Sequence, residues 1–316
     1  MRYGKIDGLK KPVSKIILGG SGAAMRKGKN QDEILDFAFA SGVNTFDTAR
    51  GYGESEKVIG GWINRRAVRD KVTLITKGAL HGFLGNNRVN EKSIRADLKK
   101  SLEALGTDYI DIYLLHRDNP KREVGQIVEL LNEFRDKGLV KIFGVSNWEY
   151  GRIIAANEYA YKHNLFPLSV SEPHFALAEA GRWTWIGCTS VTGAAHAEER
   201  KWYAQTGFPL FAFSPLCGGF LSGAVRSADK SSVKNISRGM RVTFNSELNL
   251  RRLGRLEELS ARTGYTVAQL ALAWILSQDI NAFAITGGSR VKSIESSIAA
   301  AEISLTPEQL EFLNLH

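Results

Sequence analysis

The sequence predicts an α/β protein, a (β/α)8 TIM barrel, on three observations. Short β-rich runs recur at intervals of roughly 30 to 40 residues, the spacing of strand–helix units whose strands are parallel. Eight such runs can be counted, with helix-patterned segments between them. No linker-like stretch interrupts the series, so the units belong to one closed sheet and residues 1–316 are expected to form a single domain.

In chain order, Asp7-Gly8 lies between short β-prone stretches, a hairpin signal, and an N-terminal hairpin there would plug the amino end of the barrel. Strands are then expected at 16–19, 45–47, 72–76, 110–115, 142–145, 168–171, 210–213 and 282–286. The clearest helix is 91–105, where Ile94, Leu98, Leu102 and Leu105 share a face and Gly106 ends the run. Similar patterns predict helices at 31–40, 56–65, 123–137, 150–163 and 194–206. A long insertion, 216–281, separates the seventh and eighth strands; it holds a Gly-, Ser- and Arg-rich loop and then helices at 247–263 and 267–277. Loops of that length are usually functional. An open doubly wound sheet would carry G-x-G-x-x-G after the first strand, and Gly19-Gly-Ser-Gly22 lacks that spacing.

Composition narrows the class. At 43% apolar and 24% charged, the 316 residues read as an ordinary globular protein near the upper size of one core. The first eleven residues lack the apolar centre of a secretory signal. The longest apolar segment, near 267–276, is broken by Gln269 and falls short of the roughly 20 residues of a membrane span. Two cysteines, Cys188 and Cys217, make no disulfide framework, which fits a reducing, cytoplasmic setting. The net charge of +9 raises a nucleic-acid reading, with Arg238, Arg241, Arg251, Arg252 and Arg255 clustered. They mix with Glu247, Glu257 and Glu258, and no nucleic-acid motif accompanies them, so a solvated helix face accounts for most. Part of the excess is expected to serve an anionic cofactor or substrate. Neither nucleic acid nor membrane is an expected partner, and the oligomeric state is left open.

The stretch Thr45 to Glu56 sets Asp47 at a strand end and Tyr52 in the loop behind it. Lys77 ends the next run, and His116 closes the one after. Taken singly, each has an ordinary reading: a turn aspartate, a surface aromatic, a rim lysine, a core histidine. In a (β/α)8 barrel, however, the carboxyl ends of the strands form the active-site face, so these four converge. A tyrosine, with a free pKa of roughly 10, needs a nearby cation to work as a proton donor and acceptor. No His/Asp metal cluster and no second suitable carboxylate is evident, which counts against a metal-dependent or two-carboxylate hydrolase or isomerase.

With these residues in place, the chain resembles the aldo-keto reductase family. The matching pieces are Asp47-Thr-Ala with Gly51-Tyr-Gly-Glu-Ser-Glu56, Thr76-Lys77, Leu114-Leu-His116, Gly144-Val-Ser-Asn147, Ser214-Pro215-Leu216 with Gly218-Gly-Phe-Leu-Ser-Gly223, and Ile285-Thr-Gly-Gly-Ser289. The resemblance implies a nicotinamide-dependent carbonyl reductase. Tyr52 would be its general acid, Lys77 would lower the phenol's pKa, Asp47 would hold Lys77, and His116 would orient the substrate oxygen.

The resemblance further implies that Ser146, Asn147 and Glu172 hold the nicotinamide carboxamide. Glu172 stands where a glutamine is usual; an ionised glutamate only accepts hydrogen bonds, and a structural role facing elsewhere is the other reading. Phe213 would stack on the nicotinamide, and Ser214, Leu216, Gly218 and Ser222 would approach the pyrophosphate. Thr286, Gly287, Gly288, Ser289 and Arg290 lead into the last helix, with Ser293, Ser296 and Ser297 along it. Arg290 at a helix N-terminus suggests NADPH, with NADH possible. Tyr52, His116, Arg117 and Trp148 are expected at the substrate, in a rim completed by Arg50, His81, Asn86, Arg88, His174 and Trp183. Such a rim suits a polar or sugar-like aldehyde. The alternative is a cofactor-binding regulatory subunit with little turnover.

Overall fold

The computed structural model describes residues 1–82, 85–182 and 187–315. A hairpin of β1 (Tyr3–Gly4) and β2 (Val13–Ser14) precedes the barrel strands. These are β3 (Ile16–Gly19), β4 (Thr45–Asp47), β5 (Thr73–Gly78), β6 (Ile110–Leu115), β7 (Val140–Ser146), β8 (Ser171–Glu172), β9 (Leu210–Ala212) and β10 (Ala282–Thr286). Each pairs in parallel with the next in sequence, and β10 returns to β3, with Ile285 opposite Ile17, to close the barrel. Lys15 ties this seam, donating to Asn281 Oδ1 and to the Ala282 carbonyl, each at 3.0 Å.

Alternation along the strands separates two layers of core. Ile17, Ile75, Ile112, Leu114, Ile142, Val170, Phe211, Phe283 and Ile285 fill the interior. Leu18, Phe46, Leu74, Tyr113, Leu115, Phe143 and Val145 point outward, beneath the helices. Ile6 and Val13 of the hairpin join the interior cluster. Gly8 makes this possible: its φ is +87°, and a Cβ there would lie 2.6 Å from Ile142 Cγ2 near the start of β7. The hairpin therefore caps the amino end, as expected.

The anticipated helices form, with shifts of a residue or two at most ends. Glu91–Leu105 is capped by Asn90, whose side chain accepts from the Ser93 N–H, and closed by Gly106 at φ 61°. The segment expected as one helix over 194–206 begins with a 3-10 turn, Ala194–His196, before Ala197–Thr206. The expected strand at 168–171 is corrected to Ser171–Glu172; the preceding residues still bond to β7, Ser169 N–H to Phe143 and Val145 N–H to Val170. The long insertion adds a 3-10 turn, Lys230–Asn235, and a helix, Arg238–Phe244, before Glu247–Thr263 and Val267–Leu276. A terminal helix, Pro307–Asn314, starts from a capping box of Thr306 and Gln309. Within the arginine cluster, Arg252 pairs with Glu179, and Arg255 lies over the Phe312 ring and near Glu258. Among the described residues, no helix is long and apolar enough to cross a membrane.

Candidate active site

Strand parity builds the site. Ile75 and Leu114 face the barrel interior, so Lys77 and His116, two residues on, face the same way at the carboxyl end; Val170 and Phe211 do the same for Glu172 and Phe213. Phe46 points outward, which turns Asp47 inward. The ladder between β4 and β5 continues past Asp47, through Thr48 N–H to the Ile75 carbonyl and Arg50 N–H to the Lys77 carbonyl, both 2.9 Å. Tyr52 follows on a tight turn, its N–H bonded to the Ala49 carbonyl at 2.9 Å. Its ring meets His116 edge-on, with centroids 5.5 Å apart, and Lys77 Nζ lies 5.8 Å from the tyrosine ring centre. The four residues expected to act together are thus together.

Lys77 is fully buried, and its ammonium donates to Asp47 Oδ1 and, at 2.9 Å, to Glu172 Oε2. Glu172 therefore faces Lys77, and one expectation is corrected: a second carboxylate does stand at a strand end. Burial pushes Glu172 up to about 8, with Lys77 opposing and Asp47 reinforcing the shift. Burial likewise raises Asp47, against the pull of Lys77. For Lys77, burial favours the neutral amine, yet Asp47 and Glu172 outweigh it and hold the charge.

Lys77 lowers the Tyr52 phenol as expected, but burial outweighs it. Burial drives the phenol upward; Lys77 pulls it down, while Asp47 and Glu172 push the same way as burial. The net direction is up, so Tyr52 keeps its proton near neutral pH. Burial, then Lys77, Arg117 and His81, hold His116 well below its usual range, so its imidazole is neutral. His116 Nδ1 is buried without a hydrogen-bond partner among the described residues. A protonated phenol and a neutral imidazole beside a fixed ammonium can donate a proton to, and polarise, an oxygen placed between them.

Neighbours that went unremarked in the sequence brace this constellation. Glu56 is buried behind it, accepting from Thr76 Oγ1 at 2.7 Å and pairing with Arg50 at 2.6 Å. Asp97 accepts from the Ala79 N–H at 2.9 Å and pairs with Arg88 at 2.8 Å, fixing the turn after β5. Arg50 and Arg88 are thereby engaged with carboxylates and are corrected from substrate rim to support. His174 is fully buried, bonded through Nδ1 to Ser190 Oγ at 2.9 Å and held near 3 by burial. It too leaves the rim. Trp148 is buried in the outer core, its Nε1 donating to the Arg117 carbonyl at 3.2 Å, so it stands behind Arg117. Asp118 pairs with Arg152 at 2.8 Å. Asn86 lies in the turn that returns to Gly82. Trp183 lies outside the described residues. His81 and Arg117 remain beside His116, with Gly187 packed against both.

The residues expected at the cofactor fall at the ends of β7, β8, β9 and β10, on the loops that follow, and on the helix Val291–Ala299. Ser146 Oγ donates to the Glu172 carbonyl and accepts from Asn147 Nδ2, both at 2.8 Å. Asn147, at φ 61°, accepts at Oδ1 from the Thr189 N–H at 3.1 Å, a contact with the 187–190 segment that sequence reading missed. Phe213 is half-buried, 5.7 Å ring to ring from His174. Ser214, Cys217, Gly218 and Gly219 all have positive φ, folding the loop after β9 into a compact turn. Leu216 is half-buried in it, and Ser222 is exposed, its hydroxyl bonded to the Gly219 carbonyl.

At the far end, Thr286 Oγ1 is buried without a partner among the described residues, and a Cβ on Gly287 would come 3.2 Å from the Gly19 carbonyl. Gly288, Ser289 and Arg290 are exposed at the start of Val291–Ala299, and among the described residues no ion pair holds Arg290. An orphaned hydroxyl, a close backbone approach and a free guanidinium at a helix N-terminus fit an anionic nucleotide. Ser293 and Ser296 are half-buried on that helix. Ser297 is corrected: it is buried, and its hydroxyl bonds back to the Ser293 carbonyl at 3.1 Å.

Residues 15–314 match the model of the aldo/keto reductase family. The chain belongs to that family. It is 28% identical over 292 residues to an aldo-keto reductase of Strobilurus tenacellus, covering 88% of this chain and 78% of that one. It is 28% identical to a putative aryl-alcohol dehydrogenase of Saccharomyces cerevisiae, over 95% and 82% of the two chains. A probable voltage-gated potassium channel subunit beta of Arabidopsis thaliana is 27% identical, over 90% and 86%. Aldo-keto reductases use NAD(P)H and act on small carbonyl compounds, and the chain is an NAD(P)H-dependent oxidoreductase.

Proposed function

We propose that this aldo-keto reductase reduces aldehydes or ketones with NADPH, using Tyr52 as the general acid. The observation that carries the reading is Lys77, fully buried against two carboxylates and beside the edge-paired rings of Tyr52 and His116. When bound, the nicotinamide supplies hydride to the carbonyl carbon. Tyr52 gives its O–H proton to the carbonyl oxygen, and the phenolate left behind is stabilised by the Lys77 ammonium. His116, neutral, directs an N–H at the same oxygen. Ser146 and Asn147 would hold the carboxamide, Phe213 the nicotinamide ring, and the loop from Ser214 to Ser222 the pyrophosphate.

Arg290, with the helix N-terminus behind it, would pair with a 2′-phosphate, which favours NADPH over NADH. Ser289, Ser293 and Ser296 would complete that end. The preference for polar aldehydes rests on Arg117 and His81 beside His116, with Arg117 held in place by its own bond to the His116 carbonyl at 2.7 Å. Loss of NADPH absorbance with a panel of aromatic, alkyl and hydroxylated aldehydes tests the reading. Turnover with at least one class is expected, fastest with polar members. NADPH binding without turnover on any carbonyl would instead favour a regulatory subunit, the reading supported by similarity to the channel subunit.

A further inference from the structure

Lys77 has two carboxylates, and they come from different sides of the barrel. Asp47 lies on β4, next to the lysine's own strand; Glu172 lies on β8, three places around the barrel, and reaches over the mouth to within 2.9 Å of Nζ. Asp47 and Glu172 are 3% and 2% exposed and Lys77 not at all. Among the described residues Lys77 is the one cation paired with either carboxylate, Arg117 acting on Glu172 from farther away, so fully ionised the three would carry two negative charges against one positive in a buried cluster. An unmatched charge there is strongly disfavoured, so the cluster keeps one proton. Asp47, on the strand beside Lys77, does more than Glu172 to hold the ammonium charged, which leaves the proton to Glu172.

The groups facing Glu172 come from several elements: Asp47 from β4, Tyr52 from the loop after it, Lys77 from β5, and Arg117 from the segment after β6. His116 faces Lys77 from that same segment and is neutral. The direction of the Glu172 shift, up to about 8, agrees with a proton held there.

Building on the reading of Tyr52 as proton donor, we propose that Glu172 is a positioning residue for Lys77 that works in its protonated form. As a neutral acid it accepts an N–H from the ammonium without claiming the charge. Once ionised, it competes for that charge with the phenolate that forms on Tyr52, and proton delivery slows. The device acts through Lys77 and requires no contact between Glu172 and the substrate.

Two measurements test it. The first is the pH profile of kcat/KM for aldehyde reduction, from about pH 6 to about pH 10, in wild type and Glu172→Gln. The wild type is expected to decline about tenfold per pH unit above the Glu172 titration, and the variant's decline to begin at least about one unit higher. Glu172→Met, similar in volume and uncharged, should show the same displacement. A decline that stays in place in both variants overturns the proposal.

The second measurement needs neither cofactor nor turnover: the infrared carbonyl stretch of a protonated carboxyl, as the difference between wild type and Glu172→Gln. Glu199→Gln serves as control, because Glu199 is also pushed up to about 8. A Glu172 band present near about pH 6.5 and gone near about pH 9.5 supports the proposal. An ionised Glu172 at both overturns it, whatever the kinetics. If the band behaves as expected while no aldehyde is reduced, the failure belongs to the reductase reading alone.

Discussion

Replacing Lys77 with methionine removes the one cation shared by Asp47 and Glu172 while keeping most of the buried volume. With the ammonium present, the two carboxyls hold one proton between them. Without it, the dry site must take up a second proton or keep a bare charge. Protonating a carboxyl of ordinary pKa 3.8 at about pH 7 costs a little over three pH units at about 1.4 kcal/mol each, so about 4 kcal/mol. That agrees with the roughly 3–5 kcal/mol for breaking a buried ion pair. At about pH 5 the same step spans little more than one unit, about 1.6 kcal/mol.

The sign follows from the raised carboxyl. The folded variant holds a proton that the unfolded chain releases above pH 3.8, so its stability falls as pH rises from there. Denaturant unfolding followed by tryptophan fluorescence, on both proteins at the two pH values, reads the difference. A loss below about 1 kcal/mol at neutral pH, or one equal at both pH values, would refute the buried charge cluster.

Tyr52→Phe should lower kcat at least about 100-fold and leave the cofactor's dissociation constant, read by fluorescence quenching, nearly unchanged. Arg290→Ala should weaken NADPH binding about tenfold or more and barely alter NADH; equal weakening of both would remove Arg290 from the 2′-phosphate. Gly60→Ala would set a Cβ 2.3 Å from the Leu105 carbonyl oxygen, where the helix Ser55–Arg66 meets the end of Glu91–Leu105. A loss of about 1–3 kcal/mol in thermal or denaturant unfolding is expected, with kcat of the folded fraction retained.

The barrel was legible because its two periodicities are one-dimensional: alternation within each run and recurrence of the runs. That same alternation aligns Lys77 with Ile75 and His116 with Leu114, which is why the tetrad could be read from strand ends. Glu172 was harder, since its partner lies three places around the closed sheet, and a linear pattern carries no barrel diameter. The rim failed for a local reason. Arg50 and Arg88 found carboxylates six and nine residues along the chain, and nothing in sequence says which charges pair. Trp148 and His174 lie just past the strand ends at Ser146 and Glu172, where alternation no longer says which way a side chain turns, and both are buried. The terminal helix is announced by Thr306-Pro-Glu-Gln309, a capping-box pattern.

Closure of the barrel by β10 against β3 has a bearing on how the chain reaches this state. Tyr52, Lys77 and His116 all lie within the first 116 of the 316 residues, but β3 and β9 keep bare edges until β10 inserts between them. Exposed parallel edges invite pairing with other chains, and contacts this distant in sequence form late. A polypeptide interrupted before Ala282 would thus carry the chemistry of the site on a scaffold prone to self-association. The last strand, whose end leads into the proposed phosphate site, is also the one that covers both of these edges.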